Sequence, residues 1–114
     1  MRWGLLSTAR INTKLIAGAA ASTRSEIVAV ASRDQARADA CARPHGIPRA
    51  QGSYEALLAD PEVDAVYVSL PNSMHVEWSI AALQAGKHVL CEKPMSRRPD
   101  QVEAAFDAAD AAGR

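Results

Sequence analysis

Two short apolar runs constrain the fold of this chain more than any other feature. Residues 27–31 (IVAVA) and 63–70 (VDAVYVSL) are nearly continuous in β-branched and small apolar residues instead of alternating with polar ones. That is the pattern of strands covered on both faces. Shorter runs at residues 3–6 and 87–91 (KHVLC), and a weak one beginning at Ile47, have the same character. Helical patterns separate them. Ile11, Leu15, Ile16 and Ala19 recur at helical spacing, and Asp34 is placed to cap an alanine-rich segment that Pro44 and Gly46 terminate. Ser53 caps a short helix whose Tyr54, Leu57 and Leu58 share one face before Asp60-Pro61 breaks it. Val76, Ile80 and Leu83 line a further helix that Gly86 stops, and Pro99 opens a last one with Val102, Ala105, Phe106 and Ala109 as its apolar stripe. Strand-helix alternation requires crossover connections, and right-handed crossovers put the helices outside the sheet. The expectation is an α/β, doubly wound parallel sheet of about five strands with helices on both faces, a single domain over residues 1–114.

Charge and composition narrow the function. Thirteen basic residues balance thirteen acidic ones, so the chain has no summed positive field for nucleic acid or an anionic membrane, and any phosphate site must be local. No apolar run reaches the length of a membrane span and the N-terminus has no signal pattern, which makes the cytoplasm the expected location. Cys41 and Cys91 fit neither C-x-x-C nor a zinc spacing; two free thiols and no metal site are expected.

In a doubly wound sheet, ligands sit beyond the carboxyl ends of the strands. Four loops qualify: residues 7–12, 32–34, 71–75 and 92–95. The first, Ser7-Thr8-Ala9-Arg10-Ile11-Asn12, stands where a dinucleotide-binding protein carries G-x-G-x-x-G, and has none of its glycines. Ser7, Thr8 and Ala9 are nonetheless small, their N–H groups are donors, two hydroxyls are available to phosphate oxygens, and Arg10 adds charge. An N-capped helix with no ligand would look the same. At the second loop, Ser32 occupies the position of the carboxylate that NAD-binding proteins aim at the ribose, and Arg33 follows it. A hydroxyl and a guanidinium suit the 2′-phosphate of NADP; a solvated Arg33-Asp34 charge pair is the other reading.

Residues 71–96, PNSMHVEWSIAALQAGKHVLCEKPMS, resemble the most recognisable stretch of the Gfo/Idh/MocA oxidoreductases, whose nucleotide domain is a Rossmann fold. WGLLSTARIN is similar to the glycine-poor opening of the branch with dihydrodiol dehydrogenase-like and sugar dehydrogenase-like proteins. The similarity covers essentially the whole chain, and Glu92-Lys93-Pro94 is its most specific element. The resemblance implies that Ser7, Thr8, Ala9, Arg10 and Ile11 hold the diphosphate and that Ser32 and Arg33 favour NADP, with NAD possible. It implies that Leu70, Pro71, Asn72 and His75 border the nicotinamide half, and that Glu92 lies near the nicotinamide ribose. Lys93 matches the active-site lysine, a cation suited to a substrate oxygen that gains negative charge, with Pro94 fixing its turn. Read from the residues alone, Glu92-Lys93 is an exposed ion pair, His75 a surface residue, His45 and His88 satisfied or edge histidines, and Cys91 packing at a strand end.

The implied activity is hydride transfer between a nicotinamide and a hydroxyl or carbonyl of a small sugar, polyol or dihydrodiol-like substrate. In the family a second domain supplies the substrate pocket and the usual oligomer interface, and this chain is expected to lack it. The expectation is therefore nucleotide binding without turnover, with an uncovered sheet edge that favours homo-oligomers. Two rival readings use the same residues: a nucleotide-binding module with no chemistry, which has no use for Lys93, and a structural fragment with no ligand.

Overall fold

The computed structural model describes residues 1–9, 12–91 and 99–113. Five strands, β1 (Arg2–Leu6), β2 (Glu26–Ala31), β3 (Arg49–Gln51), β4 (Ala65–Val68) and β5 (His88–Cys91), form one parallel sheet in the order β3-β2-β1-β4-β5. Leu5 of β1 pairs with Val30 on one side and Tyr67 on the other, so the centre of the sheet is the junction of its two halves. Helices α1 (Asn12–Ala20) and α2 (Gln35–His45) lie on one face, where Leu15, Ile16, Cys41 and Ala42 pack with Leu5, Val30 and Tyr67. On the other face α3 (Tyr54–Leu58) and α4 (His75–Gln84) bring Tyr54, Leu57, Leu58, Trp78 and Ala82 onto Leu6, Val66 and Val68. Helix α5 (Pro99–Ala112) runs beside α4. Burying the continuous apolar strands on both faces is the main gain, at about 25 cal/mol per Å² of apolar surface removed from water.

The expected caps are present. Asp34 accepts a hydrogen bond from the Ala36 N–H (2.9 Å), and Ser53 from the Ala56 N–H (3.1 Å). Gly4 lets α3 approach β1 closely, since a Cβ there would stand 2.8 Å from Leu57 Cδ2.

Four details differ from expectation. Strand β4 is only Ala65–Val68 because its partner β1 is five residues long and the ladder ends when β1 does. Pro44 lies inside the last turn of α2, and Gly46, at φ 65°, is what ends that helix. The third strand begins at Arg49, and Ile47 instead closes the helix end by donating to the Ala42 carbonyl and burying its side chain. Phe106, part of the apolar stripe of the last helix, is 65% exposed, and Leu90 of the edge strand is 47% exposed.

Lys87 also departs from its strand assignment. It precedes β5, is buried, and its ammonium donates to the carbonyls of Asp60 and Val63, both at 2.7 Å. Beside it, Arg49 holds the buried Asp60 carboxylate at 2.5 and 2.6 Å. The Arg2 guanidinium binds Asp64 (3.0 and 3.1 Å) and pairs with Glu62. These groups gather at the amino-terminal end of the sheet.

Candidate functional site

At the carboxyl ends of the strands a cleft of about 560 Å³ opens. It is lined by Ser7, Thr8 and Ala9 after β1, Ser32, Arg33 and Asp34 after β2, and Ser69, Leu70 and Pro71 after β4, with Arg37, Tyr54 and Met74 completing its wall. The cleft lies where chain connections leave β1 and β4 in opposite directions, the position at which such sheets bind ligands.

Of the sequence-assigned site residues, Ser7, Thr8, Ala9, Ser32, Arg33, Leu70 and Pro71 meet in this one cleft. His75 is buried, 1% exposed, with Nε2 at 2.6 Å from the Leu70 carbonyl. A carbonyl only accepts, so Nε2 carries the proton. The histidine therefore holds the loop after β4 from beneath, which the surface-residue reading had missed. Asn72 opens a 3-10 turn, Asn72–Met74. Arg10, Ile11, Glu92, Lys93 and Pro94 lie outside the described residues.

The glycine-free loop is built around a closed set of hydrogen bonds. Ser69 Oγ donates to Asn12 Oδ1 (2.6 Å), so the 2.6 Å contact between the two serine hydroxyls is donated by Ser7. Ser7 Oγ in turn accepts from the Ala9 N–H (3.1 Å), and Asn12 Nδ2 donates to the Ser7 carbonyl (2.8 Å). Ser7, Asn12 and Ser69 are all buried. Ser7 has φ 153°, a conformation that glycine favours and that costs another residue about 1–3 kcal/mol. Ala9 has no such requirement. The Ser7 hydroxyl is thus turned inward, which corrects the expectation that both loop hydroxyls are offered to a phosphate.

The far end of the cleft is charged. Arg33 is exposed; its guanidinium lies 6.0 Å from the centre of the Tyr54 ring and its Nη2 3.5 Å from Met74 Sδ. Tyr54 is itself braced edge-on by Trp78, with ring centres 5.1 Å apart. Arg37, one helical turn on from Arg33, reaches the same wall. Among the described residues neither arginine has a carboxylate partner, Asp34 included; Asp34 accepts the Ala36 N–H as the helix cap. Arg37, Tyr54, Ser69 and Met74 were not anticipated. The i, i+4 spacing of the two arginines at a helix start was the one available signal.

Neither Cys41 nor Cys91 is in a disulfide, and burial pushes the Cys41 thiol up. Among the described residues no cluster of metal-ligating side chains occurs, and no helix is long and apolar enough to cross a membrane.

The relatives agree with the geometry. Residues 1–114 match the model of an oxidoreductase family with an NAD-binding Rossmann fold. The chain is 50% identical over 113 residues to D-xylose 1-dehydrogenase (NADP(+)) 2 of Haloferax volcanii, covering 99% of this chain and 35% of that protein. It is 39% identical over 110 residues to trans-1,2-dihydrobenzene-1,2-diol dehydrogenase of Xenopus laevis, covering 95% of this chain and 33% of that one. Its fold superimposes with a TM-score of 0.93 on the 3-ketoreductase KijD10 of Actinomadura kijaniata in complex with NADP, at 38% identity, covering 99% of this chain and 36% of that one. The chain thus spans about a third of the length of these relatives. With its parallel sheet, its cleft at the β1-β4 junction and a family match over residues 1–114, this chain belongs to the Gfo/Idh/MocA oxidoreductases and corresponds to their NAD-binding Rossmann fold.

Proposed function

We propose that residues 1–114 are the dinucleotide-binding domain of an oxidoreductase that prefers NADP. The observation that carries the preference is the pair of guanidiniums, Arg33 and Arg37, that line the cleft with Ser32 and have no carboxylate partner among the described residues. A carboxylate at the Ser32 position would repel a 2′-phosphate; a hydroxyl beside two guanidiniums attracts it. The residues present fit the cofactor: Ser32, Arg33 and Arg37 would hold the adenosine end, the 7–9 loop with Arg10 and Ile11 the diphosphate, and Leu70, Pro71 and Asn72 the nicotinamide side, with His75 bracing them. When bound, the nicotinamide supplies or takes the hydride.

The chain's own chemical contribution would be Lys93, an ammonium against the substrate oxygen, with Glu92 near the nicotinamide ribose and Pro94 setting the turn; the Glu92-Lys93-Pro94 motif supports this. The parent protein would act on a hydroxyl or carbonyl of a sugar, polyol or dihydrodiol-like small molecule. The names of the xylose and dihydrodiol dehydrogenase relatives support that class. The chain of residues 1–114 alone would bind nucleotide without turnover.

A fluorescence titration with NADPH and NADH tests the reading. NADPH is expected to bind at least about tenfold more tightly, the worth of one charge-assisted hydrogen bond. Absence of binding by both nucleotides at millimolar concentration would sink the cofactor assignment, and a preference for NADH would sink the role of Arg33.

A further inference from the structure

We propose that Ser7, Ser69 and Asn12 are positioning residues for the dinucleotide, a buried hydrogen-bonded ring that does the work of the absent glycine and fixes the two cofactor loops relative to each other. The inference rests on the nucleotide-binding reading above and adds a role for the side chains of these residues, which are engaged with one another beneath the cleft while the backbone of the 7–9 loop faces the ligand.

Three observations support it. First, Ser7 keeps a glycine-like φ of 153° although it is not glycine. A residue stays in such a conformation only where its surroundings over-determine it, and here they do. Its hydroxyl accepts from the Ala9 N–H and donates to Ser69, while its carbonyl accepts from Asn12. Second, the ring joins positions 57 and 62 residues apart in sequence. Ser7 and Asn12 flank the loop after β1, and Ser69 begins the loop after β4, so the ring spans the floor of the cleft at the junction where the sheet reverses. The residue after Ser69 is held as well, since the Leu70 carbonyl is bound by His75.

Third, every donor in the ring points one way around it. The Ala9 N–H bonds Ser7 Oγ, the Ser7 hydroxyl bonds Ser69 Oγ, the Ser69 hydroxyl bonds Asn12 Oδ1, and the Asn12 amide returns to the Ser7 carbonyl. Buried and consistently polarised chains of this kind are stiff, and losing one member orphans another. The bonded N–H of Ala9 turns inward, so the ring also determines which loop N–H groups remain to face a diphosphate.

The test compares a ligand that needs the diphosphate turn with one that does not. NADPH spans the cleft, whereas adenosine 2′-phosphate engages only the Ser32-Arg33-Arg37 end. Affinities for both are measured at a temperature well below the melting midpoint, for the wild type, Ser69→Ala, Ser7→Gly and Ser7→Gly/Ser69→Ala. Ser69→Ala is expected to weaken NADPH about tenfold, the effect of one orphaned buried partner, and to leave adenosine 2′-phosphate within about twofold. Ser7→Gly makes the strained turn intrinsic to the backbone, so in that background the loss of Ser69 is expected to change NADPH affinity by less than about threefold.

Equal weakening of both ligands by Ser69→Ala, or none, would overturn the positioning role. So would a double variant no better than Ser69→Ala. If Ser69→Ala does not fold, the comparison of Ser7→Gly with the double variant decides alone. A wild type that binds neither ligand would overturn the nucleotide reading and this inference together; a wild type that binds NADPH beside an unaffected Ser69→Ala overturns only the ring.

Discussion

The two ends of the sheet handle charge in opposite ways. At the amino-terminal end the central charged groups are matched: Arg2 with Asp64 and Glu62, Arg49 with Asp60, and the buried Lys87 with two backbone carbonyls. At the carboxyl-terminal end Arg33 and Arg37 have no carboxylate partner among the described residues, and the buried polar groups there include the neutral ring of Ser7, Ser69 and Asn12. A matched cation stabilises the fold and has little attraction left for a ligand. An unmatched guanidinium contributes little to the fold and keeps its full affinity for an anion. The cleft is therefore marked out by charge left unneutralised as much as by shape.

The largest effect expected from this contrast is at Lys87. Replacing it by Met removes two hydrogen bonds from a charged donor and takes that donor from the Asp60 and Val63 carbonyls, the first of which keeps the Val63 N–H. The expected cost is about 2–3 kcal/mol, partly offset by no longer burying a cation. For a domain of this size that is roughly a 10–20 °C fall in melting temperature. NADPH affinity of the folded protein should not change. A variant that melts normally but binds poorly would reverse the division of labour between the two ends.

Arg33→Ala is the complementary case. NADPH affinity should fall about 10–100-fold, the 1.5–3 kcal/mol of a charge-assisted hydrogen bond, while NADH affinity stays close to wild type. Its melting temperature should stay near the wild-type value, because among the described residues the exposed guanidinium rests on Tyr54 and Met74 and pairs with no carboxylate. Arg37→Ala is expected to follow the same pattern with a smaller loss. Paired calorimetric titrations with the two nucleotides check both, and parallel losses for NADPH and NADH would remove the 2′-phosphate from the account.

How far the sequence revealed this division depends on the range of the interactions. The strands were legible because a parallel strand buried on both faces writes a continuous apolar run, as in IVAVA. The caps were legible because Asp34 and Ser53 act on N–H groups two and three residues away. Arg33 was legible because its charge stands at a position the fold itself singles out. Lys87 was not: its partners are carbonyls 24 and 27 residues away, and a lysine beside a strand carries no mark of burial. The ring was hidden for the same reason, since Ser69 meets Ser7 and Asn12 only once β4 has paired with β1. Phe106 fits a helical stripe by spacing, yet spacing does not say whether a partner lies opposite it, and that side chain is exposed at the β5 side of the sheet.

Acid supplies the smallest and most selective probe of the matched end. The Arg2 guanidinium, followed by the Arg2 N–H, holds the Asp64 carboxyl down to about 2 from its usual 3.8. Arg49 likewise lowers Asp60. A carboxylate whose folded value is depressed makes the folded state bind fewer protons than the unfolded chain. Its contribution is fully present above the ordinary carboxylate value and is lost as the pH falls from about 4 through about 2. Asp64 is partly exposed, so solvent screens its pair and the change in melting temperature over this interval should be modest. Asp64→Asn should melt slightly lower than wild type at neutral pH and lose less stability on acidification, the two curves converging towards pH 2. Thermal melts at half-unit steps of pH measure this directly. Curves that stay parallel down to pH 2 would mean that the Arg2-Asp64 pair contributes nothing, and the contrast between the two ends would then rest on Lys87 and the Arg49-Asp60 pair.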